Sequence, residues 1–314
     1  MMAIPDKLLA NLAIPAIAAP MFLASGPDLV VEVCRSGLIG TFPALNARTT
    51  GALANWLDEI AERLSDSPAP AAFGINQIVH KSNPRLDADL KVTVDHKVPL
   101  VITSLGAARE VVDAVHSYGG VVFHDVINSR HAEKAATAGV DGLIAVAAGA
   151  GGHAGTLNPF ALISEIRSFF DGTVILAGAI TNGRQIAAAR LMDADMGYVG
   201  TRFIATQEAT VQTDYKEMLT QTGAADIVYT SGISGVNASF MRPSIIAAGM
   251  DPDDLPTDAK LDMGNEGRAW RDIWSAGHGV GSIRDIPTAA QLCARLIGEY
   301  RKAMAEAAHD PFTR

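Results

Sequence analysis

The chain has 314 residues, 48% hydrophobic and 19% charged, with 25 Lys+Arg against 34 Asp+Glu for a net charge of −9. A chain this long buries about 75% of its unfolded surface and forms a core without metal or disulfide staples. Its acidic balance argues against partners bound through clustered basic residues, namely nucleic acid and anionic membranes.

The two cysteines, Cys34 and Cys293, suit neither a zinc cluster nor a disulfide framework and fit a reducing cytoplasm. Residues 1–15 lack the basic start and apolar stretch of a secretion signal, and no run reaches the roughly 18 apolar residues of a membrane span. A cytoplasmic protein is expected, with a homodimer compatible with the chain.

Eight short apolar runs follow one another at 17–22, 37–42, 71–76, 99–104, 121–126, 142–148, 173–178 and 196–201. They are continuous rather than alternating, the pattern of strands whose two faces are both covered. Helical patterns lie between them at 56–64, 86–94, 108–118, 130–138, 160–170 and 184–192. Ser82, Ser129, Asn158 and Asn182 are candidate N-caps, Pro84 and Pro159 candidate first helical residues, and Gly119, Gly139 and Gly172 candidate C-caps.

Eight strand–helix repeats with short links predict an α/β fold, a (β/α)₈ TIM barrel. A doubly wound sheet would carry a glycine fingerprint after its first strand, where this chain has Phe22-Leu-Ala-Ser-Gly26. The alternation stops near Thr206. Residues 222–267, rich in Gly, Pro, Asp and Ser, are expected to form a lid over the active-site face. The barrel would comprise 1–221 and 268–314, closed by an amphipathic helix over 287–307.

Ligands of such barrels sit at the C-terminal strand ends. Here those ends are poor in charge (Met21-Phe22, Phe42-Pro43, Gly178-Ala179, Gly200-Thr201), which suits a planar cofactor held by backbone groups better than a metal. Small residues after strands seven and eight match the common barrel phosphate site, with Thr201 adding a hydroxyl. The stretch Gly149-Ala-Gly-Gly-His-Ala-Gly155 formally fits a dinucleotide fingerprint, yet it follows the sixth strand and no acid ends the next one. Its small residues instead let a flat ring approach and leave His153 projecting into the mouth, with an ordinary pKa suited to proton transfer. His124 would face either the cavity or the barrel wall, His278 would belong to a turn, and Asp125 would serve as a mouth residue or in a buried ion pair.

Ala150-Gly-Gly-His-Ala-Gly155, Ala177-Gly-Ala, Asn182-Gly-Arg184 and Gly200-Thr-Arg-Phe203 together resemble the ordered motifs of the nitronate monooxygenase family. The likeness covers roughly residues 15–220, and Ala276-Gly-His-Gly-Val-Gly281 matches a later family turn. The resemblance implies non-covalent FMN, with its phosphate along Ala177, Gly178, Ala179, Gly200 and Thr201. Its ring would lie against Pro20, Met21 and Phe22, with polar contacts from Asn76 and Asp125 and close approach at Gly151 and Gly152. His153 would be the catalytic residue, and a nitronate or nitroalkane and O₂ the substrates. Met21-Phe-Leu-Ala24 replaces the family's frequent Gln-Gly-Gly-Met, the lysine often found after strand five is replaced around Asp125, and Ala179 replaces a glycine. These departures imply a divergent branch. The same barrel group also contains NAD(P)H-dependent FMN reductases of quinones and enoyl thioesters, the alternative activity.

Overall fold

A computed structural model describes residues 3–106, 109–256 and 270–313. Six parallel strands run side by side: β1 (Ala16–Ala18), β2 (Ile39–Pro43), β3 (Phe73–Ile78), β4 (Leu100–Ser104), β5 (Val121–Val126) and β6 (Gly142–Val146). A two-residue strand, β7 (Gly152–His153), stands outside this sheet. Then β8 (Thr173–Ala177) and β9 (Met196–Val199) complete a closed barrel, β9 pairing back onto β1 with Ile17 opposite Tyr198. This is the expected TIM barrel.

Side-chain parity explains the continuous apolar runs. Val121 and Phe123 of β5 join a cluster inside the barrel, while Val122 and Val126 join the layer beneath the helices. Both faces are therefore dry. The inner cluster also takes Ile4 and Leu8, placed around the short α1 (Asp6–Leu9). At that N-terminal end the Ala3 N–H donates to Asp195 Oδ1 at 3.1 Å. Asp195 also accepts from the Val174 N–H at 2.9 Å and pairs with Arg167.

The outer ring contains α2 (Pro27–Arg35), α3 (Thr50–Ser65), α4 (Leu86–Asp95), α5 (Arg109–His116), α6 (Ser129–Ala138), α7 (Pro159–Arg167) and α8 (Gly183–Leu191). Asn158 and Asn182 cap their helices as expected, the latter in a reciprocal box with Gln185. Asn128, one residue before the expected Ser129, caps α6 by accepting from the His131 N–H at 2.9 Å. α4 starts later than Ser82 and Pro84 suggest, because Asn83 forms a turn by accepting from the Arg85 N–H. Gly139 ends α6 in the left-handed region at φ +91°, whereas α7 ends at Ser168, well before Gly172.

Beyond β9 come α9 (Thr201–Ile204), α10 (Thr213–Gln221), β10 (Ile227–Thr230), β11 (Ala238–Met241), α11 (Arg242–Ala247) and α12 (Ala289–Ala308). α12 packs on α8 and α2. A box between Thr288 and Gln291 starts it. β10 and β11 extend from β7 as a three-stranded sheet, in which Ala238 pairs with His153. Residues 257–267 of the expected lid lie outside the described residues. No helix among the described residues is long and apolar enough to cross a membrane.

Candidate active site

The inward parity of the strands continues to their C-terminal ends, and there it presents polar groups. Asn76 Nδ2 donates to Ser104 Oγ at 2.7 Å, and Ser104 Oγ donates to Asp125 Oδ2 at 2.6 Å. Asp125 Oδ1 and Tyr198 Oη are buried with no hydrogen-bond partner among the described residues. Burial pushes the Asp125 carboxyl up to about 6, against the opposing effect of the Ser104 hydrogen bond. Burial, and then the Asp125 charge, holds the Tyr198 phenol well above its ordinary range. Unpartnered buried polar atoms are costly, so two of them at one cavity floor call for a ligand that supplies partners.

Above this floor opens a cavity of about 1130 Å³. Every residue expected at the site lines it: Pro20, Met21 and Phe22 after β1, Asn76 and Asp125, then Gly151, Gly152 and His153 on the β6 side. Ala177, Gly178, Ala179, Gly200 and Thr201 complete the set at the ends of β8 and β9. These positions are scattered through the sequence and meet because parallel strands point one way around the barrel.

His153 is held from several sides. Its strand pairs with β11, the Gly152 N–H donates to Ser275 Oγ at 2.7 Å, and Tyr229 Oη donates to the Ala154 carbonyl at 2.7 Å. Its ring meets Trp270 edge-on, with centroids 5.4 Å apart. Burial lowers the imidazole pKa. Burial thus favours the neutral imidazole over the imidazolium.

The loop that leads to His153 is locked by backbone contacts to the segments after β8 and around Gly277. The Gly149 carbonyl accepts from the Ala179 N–H at 3.2 Å and the His278 N–H at 2.9 Å. Ala179 sits at φ +55°, a strained conformation for a residue with a Cβ, immediately after Gly178 at φ +134°. The Gly277 N–H donates to Thr201 Oγ1 at 2.9 Å, which leaves the hydroxyl proton of Thr201 able to donate elsewhere. A Cβ on Gly277 would stand 2.5 Å from the Gly149 oxygen and 2.8 Å from the Gly151 nitrogen, so this turn and the His153 loop approach as closely as glycine permits. His278 heads the turn at His278–Ser282 with an exposed side chain; its amide makes the structural contact.

His124 lies on the outward parity of β5, with Nδ1 and Thr103 Oγ1 2.7 Å apart. Burial, aided by the positive charges of His131 and Lys134, lowers its pKa to about 4. Sequence reading missed Tyr198, Ser104, Tyr229 and Trp270, all of which line the cavity. Tyr198 lay inside an apolar run where no polar signal showed; the alternation Met196-Gly-Tyr198 could have placed it inward. Trp270 and Tyr229 reach the site from segments distant in sequence and carried no local signal.

The family model of nitronate monooxygenase matches residues 42–299. The chain belongs to this family. Membership makes the protein an oxidoreductase. A nitronate monooxygenase from Paraburkholderia phytofirmans is 27% identical, aligned over 92% of this chain and 93% of that one. Among solved structures, a nitroalkane oxidase from Streptomyces ansochromogenes superposes with a TM-score of 0.83 at 23% identity, covering 95% of this chain and 98% of the other. FabK from Thermotoga maritima superposes with a TM-score of 0.79 at 24% identity, covering 96% and 97%. The two structures share the barrel fold with this nitronate monooxygenase family member.

Proposed function

We propose that the protein is an FMN-dependent monooxygenase that oxidises alkyl nitronates with O₂, yielding carbonyl compounds and nitrite. The observation that carries this reading is a buried, held histidine facing a large cavity whose floor leaves Asp125 Oδ1 and Tyr198 Oη unpartnered among the described residues. That floor suits a flat ring with its own donors and acceptors, and the small residues Gly178, Ala179 and Gly200 with the Thr201 hydroxyl suit a phosphate. Pro20, Met21 and Phe22 would hold one side of the ring, with Gly151 and Gly152 beside His153. Bound FMN would supply the electron acceptance that no side chain offers.

The chain's own residues do the rest. His153 takes the proton from the carbon bearing the nitro group of a neutral nitroalkane, a contribution of about 10²–10⁴-fold to rate. With an already anionic nitronate, His153 orients the substrate and no proton needs to leave. The described part of the 222–267 segment, residues 222–256, acts as a cover over the barrel; the pairing of β11 with the His153 strand and the Tyr229 bond to Ala154 support that role.

The test is the visible spectrum of the purified protein, followed by oxygen uptake and nitrite release with ethylnitronate. A yellow protein that releases no nitrite and is bleached anaerobically by NADH or NADPH would instead establish the reductase reading. His153→Asn should keep the flavin spectrum, lose about 10²–10⁴-fold in kcat/KM with nitroethane, and lose far less with ethylnitronate. A colourless variant would make His153 structural.

A further inference from the structure

Five large apolar side chains that remain exposed stand together on the cavity wall: Phe22, Leu23, Leu105, Ile127 and Tyr229, each 37–39% exposed. They come from the segments after β1, β4 and β5 and from β10, so the fold alone assembles them. Exposed apolar groups gathered at a concave mouth mark a binding surface. The cavity volume of about 1130 Å³ also exceeds the roughly 300–1,000 Å³ that holds a single small ligand.

Charge on this wall runs against the sign of the chain. Asp125 is the one carboxylate among the described lining residues, and it lies at the cavity floor with Ser104 Oγ donating to it rather than on the exposed apolar wall. The cations are Lys134 and Arg271, with His131 beside Lys134 on α6. Arg271 is paired with Asp272 at 2.8 Å, whereas no ion pair engages Lys134 among the described residues. His131 and Lys134 are three residues apart near the start of α6, where the helix dipole adds positive potential. Their combined field contributes to keeping the neighbouring His124 neutral.

We infer that the substrate is amphipathic, an apolar chain of several carbons ending in an anionic group, with the chain on the Phe22–Leu105–Ile127 wall and the anion at His131 and Lys134. The inference deepens the nitronate reading and rests on it for the chemistry at the other end of the molecule, beside His153. A short alkyl nitronate would leave both the apolar wall and the cations without contacts.

The experiment uses the flavin-loaded protein and two measurements. Dissociation constants of octanoate and octanamide are read from changes in flavin absorbance, and kcat/KM is measured for terminal nitronates from propyl to decyl, with either a methyl or a carboxylate at the far end. Octanoate should bind more tightly than octanamide, and kcat/KM should rise about threefold per added methylene until the wall is filled. Lys134→Met should reduce the preference for the carboxylate about fivefold, and Lys134→Glu about twentyfold. Equal binding of octanoate and octanamide, no dependence on chain length, or loss of FMN from Lys134→Met with the preference intact would each overturn the inference. If no nitronate releases nitrite but octanoate binding still depends on Lys134, the reaction assignment falls and the subsite stands. If nitrite is released equally from every tail, the subsite falls and the reaction stands.

Discussion

Asp125→Asn should make the flavin-free protein more stable at pH 8, by an amount that the buried carboxyl sets. The substitution is nearly isosteric, and the amide oxygen can still accept the Ser104 hydroxyl that now donates at 2.6 Å. Burial raises the folded-state pKa to about 6 from the ordinary 3.8. Folded protein therefore binds this proton roughly a hundredfold more tightly than unfolded chain, worth about 2–3 kcal/mol. The sign follows from which state holds the proton. Below pH 3.8 both states are protonated and the carboxyl costs nothing on this account. Between pH 3.8 and about 6 the unfolded chain has released its proton and the folded one has not, so stability falls as pH rises. Above about 6 the whole cost is present. Urea unfolding of both flavin-free proteins, at pH 4 and pH 8, isolates the effect because all other titrating groups cancel in the difference. The variant should gain about 2–3 kcal/mol relative to the parent at pH 8 and much less at pH 4. Equal stability at pH 8, or a gap independent of pH, would refute the picture of a desolvated carboxyl at the cavity floor.

Other substitutions probe the frame around the site. Gly277→Ala drives a Cβ to 2.5 Å from the Gly149 oxygen, where only backbone can give way, so stability should fall by about 1–3 kcal/mol and FMN affinity with it; an unchanged melting temperature and FMN dissociation constant would count against the close contact. Asp195→Ala removes the acceptor for the Val174 and Ala3 amides and the partner of Arg167, at the far end of the barrel. It should cost about 3 kcal/mol in urea unfolding while leaving the flavin spectrum of the surviving folded protein intact. A spectrum altered as much as the stability would show that the two ends of the barrel are coupled.

The barrel was legible because its physics is local and repeated. Continuous apolar runs of strand length, separated by helix-period segments with Asn158 and Asn182 at their starts, leave few folds that bury both faces of each strand. The glycines and alanines after strands six to eight, with His153 among them, were likewise legible as cavity-lining positions.

Other features depend on which strands become neighbours. Ser104 and Asp125 lie 21 residues apart and meet through adjacent β4 and β5; Tyr198 faces the same cavity from β9, across the closed sheet. A one-residue change of strand parity would turn each of these side chains out of the barrel interior, and an unbroken apolar run does not reveal that parity. The tie of β11 to the His153 strand joins segments more than 80 residues apart, where sequence spacing carries no geometric information. Local pattern thus determined the barrel and placed a stretch of small residues with one histidine at its C-terminal end. Tertiary structure decided the chemistry of the cavity floor and the charge on the cavity wall, because desolvation and field arise from neighbours that only the closed fold supplies.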